Sequence, residues 1–442
     1  MDDLDTPEDP ERQHRIARRQ GEVGLSTVAA IDESVGRGVP ADVALAGVYR
    51  RHRELGARDR RFLSALVFSH FRWRGWTRLS AAEDLREACI LAHVLDALEV
   101  HPAVRVLASE AGIPDDQLQP LGSLALERRA ARLTVLRGLA RTPAPEALIP
   151  DWSRDVLWRP PGFDPGVHLQ RCIEAFQSRP PTWIRARHGV ELTARNAFRE
   201  TGMEAGPHAR MRQALALTGP RPALAAAFPE LRGNIEVQDL ASQAVGLICD
   251  PWPGSEWWDV CAGALGKTLH LADLAGGRCD IMATDVRSST LDNGQHRLRD
   301  AGIRCVRLAV WDGHSDPAPQ RAFDGVLVDA PCSSLGTWHR NPDARWRTQA
   351  KDVKAYAGTQ ALLLGIAASK VKPGGRLVYA TCTLTGLENE CVVRAFLDVH
   401  PEFEFEPFVN PLTDEACPGS VWIWPWQGPC NGMFVARLKR AR

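Results

Sequence analysis

Two cysteines stand in contexts that suit covalent chemistry: Cys332 in DAPCSSLG (329–336) and Cys382 in YATCTLTGLENE (379–390). A deprotonated thiol is a strong nucleophile and adds to electron-poor ring carbons. C5 of cytosine is a poor nucleophile until something adds at C6. A thiolate does this and leaves an enamine that can attack an electrophilic methyl group, so one difficult step becomes two easier ones. Such chemistry needs a lowered thiol pKa, an acid facing N3 and a base drawn out of its stack. Asp329 is placed for the acid. Most free cysteines are ordinary core residues. Two of them in turns, one flanked by Asp329 and Pro331 and the other followed by Glu388-Asn389-Glu390, form a less ordinary pair. The residues alone leave open which thiol attacks.

A second set of residues suits a ligand. DVCAGALGKTLHLADL (259–274) reads as a strand, a small-residue turn and a helix. Gly263 and Gly266 admit close backbone approach, and the helix start offers N–H donors. Gly266-Lys267-Thr268 ends like a phosphate-binding loop, but the glycine which that motif needs further back is replaced by Cys261. Asp285, Asp312 and Asp329 each end or follow a strand, where a carboxylate can bond a ribose diol or balance a cation. A ribose-bearing, positively charged ligand fits, and S-adenosylmethionine meets both demands. A dinucleotide would lack GxGxxG and would leave Asp329 and the thiols without a task.

The elements that must position these groups are strands alternating with helices. WWDVCA (257–262), CDIMATDV (279–286), RCVRLAV (304–310), FDGVLVDA (323–330) and GRLVYAT (375–381) read as strands. They predict an α/β Rossmann-like domain with a doubly wound, mostly parallel sheet, and both thiols at the carboxyl ends of strands, where such sheets bind ligands. Residues 24–140 read as helix throughout, best seen in the stripe Phe62, Leu63, Leu66, Val67 and His70 or Phe71. Prolines crowd 141–165, the mark of a linker, and TWIRAR (182–187) reads as a strand of a small α+β subdomain.

Arg50, Arg51, Arg53, Arg58, Arg60, Arg61, Arg72 and Arg74 cluster within the helical region. Charge runs are usually solvated helix faces; contact with RNA phosphate is the second reading. The whole chain has 54 basic and 54 acidic residues, so no global field marks a nucleic-acid partner. Eleven cysteines without a CxxC pair or a Cys/His cluster predict no metal and no disulfide framework, in a reducing compartment. The first twenty residues lack an apolar core, and no apolar run is long enough to span a bilayer, so the expectation is a cytoplasmic protein with no membrane partner.

From 235 onward the chain resembles the S-adenosylmethionine-dependent RNA cytosine-C5 methyltransferases of the Sun/RsmB-like and nucleolar-protein type. DAPCSSLGTWHRNPDARWR (329–347), with Arg340, Pro342, Asp343 and Trp346, is similar to the family's Pro-Cys block. YATCTLTGLENE is similar to its Thr-Cys block, and VKPGGRLVY (371–379) to its Pro-Gly-Gly strand. The resemblance implies a class I methyltransferase fold and gives Cys382 the attacking role and Cys332 a part in product release. Cys261, Ala262, Gly263, Ala264, Leu265, Gly266 and Lys267, with Asp285, Asp312 and Asp329, match the family's contacts to the methyl donor. Residues 24–140 resemble, more weakly, a NusB-like RNA-binding domain, which makes ribosomal RNA of the small subunit the implied partner. The implied organisation is a flexible N-terminus (1–22), a helical NusB-like domain (23–145), a linker and small subdomain (146–245) and a methyltransferase domain (246–442), acting as a monomer.

The chain departs from the family pattern at the donor loop. Gly263, Ala264 and Leu265 stand where Ala, Pro and Gly are expected, and Leu265 predicts weaker donor binding. Ser334 replaces the glycine of Pro-Cys-Ser-Gly, and Asn431 to Phe434 replace Asp-Gly-Phe-Phe. Alternatives are a non-catalytic RNA-binding assembly factor with a decayed donor pocket, or a cytosine-C5 methyltransferase acting on tRNA or DNA.

Overall fold

The computed structural model describes residues 9–78, 84–219, 224–314 and 321–442. The chain forms two compact units. One holds the residues up to Asp155 with Arg159–Ser178 and Trp338–Gln349; the other holds Val156–Trp158, Arg179–Thr337 and Ala350–Arg442.

The first unit is helical. Its opening helix, Pro10–Gly36, starts inside the stretch read from sequence as a flexible terminus. Asp9 accepts from Glu11 N at 3.0 Å and Pro10 supplies a preset φ, which together fix the helix start. Helix Ala57–Thr77 buries Phe62, Leu63, Leu66, Val67, His70, Phe71, Trp73 and Trp76, the expected stripe extended by two tryptophans. Arg72, read as part of a basic run, is buried; it pairs with Asp96 at 3.1 Å and donates to His339 O at 2.7 Å. Arg74 and Arg78 both reach Asp32. Arg50, Arg51, Arg53, Arg58 and Arg61 are exposed.

Segment 338–349 belongs to this unit. Asp343 accepts from Ala41 N at 3.0 Å, and Trp346 Nε1 donates to Phe71 O at 2.7 Å. Arg345 is fully buried and donates to the carbonyls of Leu148 (2.9 Å), Phe176 (3.2 Å) and Trp338 (3.2 Å). The motif residues after the Pro-Cys turn therefore anchor helices.

The second unit carries two larger sheets. The smaller is antiparallel, β1 (Thr182–Ala186), β2 (Glu204–Pro207), β3 (Ala214–Thr218) and β4 (Ile235–Val237) in the order β2-β3-β1-β4, with helix Glu191–Glu200 contributing Ala194 and Phe198 to its core. The main sheet contains β5 (Glu256–Asp259), β6 (Asp280–Asp285), β7 (Val306–Val310), β8 (Phe323–Asp329) and β9 (Val371–Thr381), all mutually parallel. β10 (Phe403–Phe405) lies at the edge, β11 (Phe408–Val409) and β12 (Ala416–Cys417) pair separately, and β13 (Ser420–Ile423) pairs with β14 (Met433–Arg440). β14 runs antiparallel to β9.

The order β10-β14-β9-β8-β5-β6-β7 is the doubly wound, Rossmann-like arrangement expected for a class I methyltransferase. Trp257, Val326, Leu327, Leu377 and Val378 are buried, as strands covered on both faces require. Strand order reverses between β5 and β8, so the crevice outside their carboxyl ends is the expected ligand site. β5 ends at Asp259, three residues before the expected end, because the chain turns at once into the donor loop; β13 and β14 were not anticipated.

Candidate active site

A cavity of about 650 Å³ opens at that switch point. It is lined by Cys261, Ala262, Gly263, Ala264, Gly266, Lys267, Asp285, Asp312, Asp329, Cys332 and Cys382, among others. The structure thus brings together every residue expected at the site except Leu265.

Leu265 caps the helix Gly266–Leu274 in a left-handed conformation, φ 65°. Its side chain is fully buried, clustered with Ala262, Leu269, Ala283, Leu291 and Leu298, and does not line the cavity. The weaker donor binding expected at Leu265 rests on the loss of a glycine that would let the backbone approach the donor. The side chain itself is accommodated by Gly294, on helix Ser288–Asp300: a Cβ at 294 would lie 2.4 Å from Leu265 Cγ. Arg297 of the same helix pairs with Glu236 and donates to Ala264 O, holding the loop from the other side. Neither residue was singled out from sequence, because their role depends on which helix packs on the loop.

Asp285 ends β6. One carboxylate oxygen accepts from Gly263 N at 2.9 Å and the other from Arg287 N at 2.9 Å and Arg287 Nε at 3.0 Å. Burial opposes the charge, but these donors hold the carboxyl below its usual range. Where a Cβ on Gly263 would sit, nothing lies within 4 Å, so the loop has room for a ligand against its backbone. Asp312 accepts from His314 N at 2.9 Å. A glycine loop and two carboxylates around one cavity fit an adenosine-type ligand with a cationic centre.

Lys267 Nζ donates to Asp329 Oδ2 at 2.6 Å and to Ser242 Oγ at 3.2 Å. Burial works against the ammonium, yet the adjacent Asp329 carboxylate outweighs it and raises the lysine's pKa. Asp259 behind the loop accepts from Thr268 Oγ1 at 2.6 Å. Full burial pushes its carboxyl up to about 7.

The two sulfurs lie 3.4 Å apart. Ser334 Oγ is 3.6 Å from Cys382 Sγ and 4.0 Å from Cys332 Sγ. The Cys332 thiol, Ser334 and Lys267 all favour a thiolate at Cys382, whose pKa falls despite burial. Cys332 moves the other way, raised by its contact with Cys382, by burial and by the Glu388 carboxylate. The hydrogen bond between the two sulfurs, aided by Ser334 and Lys267 on one side and Glu388 on the other, therefore separates the two thiols.

Glu388, in the Glu-Asn-Glu run, joins the two cysteine turns. Its side chain is fully buried. Oε1 accepts from Ser333 N (2.8 Å) and Gln360 Nε2 (3.2 Å); Oε2 accepts from Thr385 Oγ1 (2.8 Å), Thr383 Oγ1 (3.3 Å) and Ser333 Oγ. Asn389 Oδ1 accepts from Thr381 Oγ1 at 2.5 Å, and Gly336 N donates to Cys382 O at 3.0 Å. Trp158, placed in a linker by its prolines, donates its backbone N–H to Leu384 O at 2.8 Å and stacks on Trp422 with ring centroids 4.4 Å apart.

Residues 247–439 match the family described as 16S rRNA methyltransferase RsmB/F. Over that segment the chain is similar to the RsmB/F methyltransferases. The "Probable ribosomal RNA small subunit methyltransferase B" of Synechocystis sp. is 38% identical over 213 residues, covering 46% of this chain and 47% of the relative. The ribosomal RNA small subunit methyltransferase B of Salmonella typhi is 34% identical over 275 residues, 61% of this chain and 62% of that protein. The chain thus spans about half to three fifths of the length of these curated relatives. Among solved structures, that of PH0851 superposes with TM-score 0.72 at 26% identity, covering 94% of this chain and 99% of the other. A methyltransferase homologue from Pyrococcus horikoshii gives 0.54 at 26% identity, covering 63% and 96%. The RsmB/F match covers nearly all of the main sheet, both cysteines and the cavity lining apart from Val237, Gln238, Asp239 and Ser242. Among the described residues no group of His, Cys, Asp or Glu is arranged to hold a metal, and no helix is long and apolar enough to cross a membrane.

Proposed function

We propose that this chain methylates C5 of a cytosine in small-subunit ribosomal RNA through a covalent Cys382 adduct. The observation that carries the reading is the pair of sulfurs 3.4 Å apart on the wall of a cavity that also presents Asp285, Asp312 and the Gly263 loop. S-adenosylmethionine, bound there, supplies an electrophilic methyl group. The loop 261–267 and Asp285 would hold its ribose end, with Asp312 beside them.

Cys382 Sγ bonds to C6 of the cytosine, and the ring electrons move toward C5. Asp329, as the carboxylic acid, gives its proton to N3 and stabilises the adduct, which leaves a carboxylate beside the Lys267 ammonium. After C5 gains its methyl, solvent water or hydroxide takes the C5 proton, the electrons expel Cys382 as thiolate, and the N3 proton returns to Asp329. Cys332, the thiol kept protonated by its surroundings, assists that release. The exposed arginines Arg50, Arg51, Arg53, Arg58 and Arg61 would meet RNA phosphates from the helical unit, the part of the chain that resembles a NusB-like domain. The protein would work in the cytoplasm as a monomer. A decayed donor pocket is not favoured, since the Leu265 side chain is turned out of the cavity.

The test is methyl transfer from labelled S-adenosylmethionine to transcripts of small-subunit ribosomal RNA, with tRNA and DNA beside them, and bisulfite mapping of the product. Cys382→Ala should abolish transfer, and Cys332→Ala should trap a covalent RNA complex. An active Cys382→Ala enzyme beside an inactive Cys332→Ala enzyme that forms no adduct would reverse the assignment. Methyl incorporated into DNA or tRNA alone would replace the substrate.

A further inference from the structure

Ser334 stands in the Pro-Cys turn with φ 59°, in the left-handed region that glycine enters freely and a serine does not. Leu265 occupies the same region, but its side chain fills a core cluster. Ser334 fills none: it is half-buried and lines the cavity beside both thiols. Its hydroxyl lies 3.6 Å from Cys382 Sγ, within hydrogen-bond reach for sulfur, and 3.3 Å from Cys332 O. Thr337 N and Thr337 Oγ1 donate to Ser334 O at 2.9 and 3.0 Å, so the turn that aims the hydroxyl is itself fixed. Residues kept in an unfavourable backbone conformation beside reactive groups often hold a functional group in place.

We propose that Ser334 is a further catalytic residue, whose hydroxyl donates a hydrogen bond to the Cys382 sulfur as it becomes and again leaves as a thiolate. The inference rests on Cys382 being the nucleophile. With the thiol protonated, Cys382 S–H donates to Ser334 Oγ and the serine proton points to Cys332 O. When the thiol loses its proton, the hydroxyl turns by rotation about Cβ–Oγ and donates to sulfur instead. No bond between heavy atoms forms or breaks. The same turn recurs when the C6–sulfur bond breaks, so the hydroxyl assists both attack and release. It acts with the other groups that face the thiols: Lys267 and Asp329 on the Cys382 side, Glu388 and Tyr379 on the Cys332 side, and the Cys332 thiol between them.

A serine kept only for the turn and one kept for its hydroxyl differ in what Ser334→Gly does. Glycine relieves the backbone and deletes the donor; Ser334→Ala deletes the donor and keeps the strain. Three quantities are read on the full chain: the thermal midpoint, the pH dependence of Cys382 alkylation by iodoacetamide followed by mass spectrometry, and the steady-state rate with an RNA transcript. In both variants the Cys382 alkylation midpoint should move up by about one pH unit and kcat should fall roughly tenfold, the size of one hydrogen bond to a charged group. KM for S-adenosylmethionine should not change, and the thermal midpoint of Ser334→Gly should be equal to or above that of the parent. Unchanged alkylation profiles in both variants would overturn the proposal, as would a rate loss in Ser334→Gly that tracks a fall in thermal midpoint. If the parent methylates no RNA but the alkylation midpoints still move, the functional reading fails while the contact between Ser334 and Cys382 stands.

Discussion

Ser333 and Glu388 are joined twice: Glu388 Oε1 accepts from Ser333 N at 2.8 Å, and its other oxygen accepts from Ser333 Oγ. Ser333 follows Cys332, and Thr383, which also bonds Glu388, follows Cys382. One buried carboxylate therefore sets the spacing of both sulfurs.

Glu388→Ala should leave Ser333 N buried without an acceptor and leave Gln360 Nε2 only Pro331 O, at 2.9 Å. An unsatisfied buried network of this kind costs about 3 kcal/mol, to be read from denaturant unfolding. Glu388→Gln should be milder, about 1 kcal/mol. Its amide oxygen can serve the two fixed N–H donors, while two of the three hydroxyls of Ser333, Thr383 and Thr385 can rotate to accept from its NH2. Equal losses for the two variants would argue against this reading of the network.

Gly294 and Leu265 form a second coupled pair. In Gly294→Ala the new methyl meets Leu265 Cγ at 2.4 Å, and the left-handed cap of the donor loop must shift. The expected result is a rise of roughly tenfold in the dissociation constant for S-adenosylmethionine, measured by calorimetry, the scale of a small misplacement of binding groups. Leu265→Gly alone should open a cavity in the cluster and cost about 3 kcal/mol of stability. Combining the two should restore much of the affinity lost by Gly294→Ala, because the clash is gone. Additive losses would show that the residues act independently.

How far the sequence is legible differs between the strands and the loops. The five parallel strands and the positions of Asp285, Asp329, Cys332 and Cys382 at their ends follow from apolar runs punctuated by turn residues. Those are local signals. At Leu265 the sequence shows that a glycine is missing but not that Gly294, a helix away in space, receives the side chain. The Arg340 to Trp346 run reads as part of the thiol motif, yet Asp343, Arg345 and Trp346 bond the backbone of helices far off in sequence. The arginine run likewise mixes exposed residues with Arg72, whose partner Asp96 no spacing rule pairs with it. Tertiary partners decide these cases, and a single sequence does not display them.

Asp259 should give the protein a measurable pH dependence of stability. Its carboxyl is pushed from 3.8 to about 7 by burial, so in the folded state it stays protonated where the unfolded chain has lost the proton. Stability from this group is full below about pH 4 and is lost as pH rises through 7. The whole difference is at most roughly 4 kcal/mol. Asp259→Asn should keep an acceptor for Thr268 Oγ1 and flatten the stability profile between pH 4 and 7. Chemical denaturation across that range checks it; parallel profiles for parent and variant would show that Asp259 does not titrate there.

Arg345 is the charge for which replacement by lysine should be least conservative. Its guanidinium reaches three carbonyls at once and stacks against Phe176 and Trp338, with ring centroids 5.9 and 5.7 Å away. Burial pushes its pKa down to about 9, so the site already opposes the charge. A lysine has three donors on a single atom and cannot span carbonyls set apart by a planar fork. Its ammonium also loses the proton more readily when buried. Arg345→Lys should therefore cost about 3 kcal/mol, and Arg345→Met should cost more, since all three carbonyls lose their donor. Because the contacts all lie within the helical unit, the loss should appear as earlier thermal unfolding of that unit. Binding of S-adenosylmethionine, measured by calorimetry below the transition, should be retained. A loss of donor binding without a loss of stability would instead tie Arg345 to the cavity.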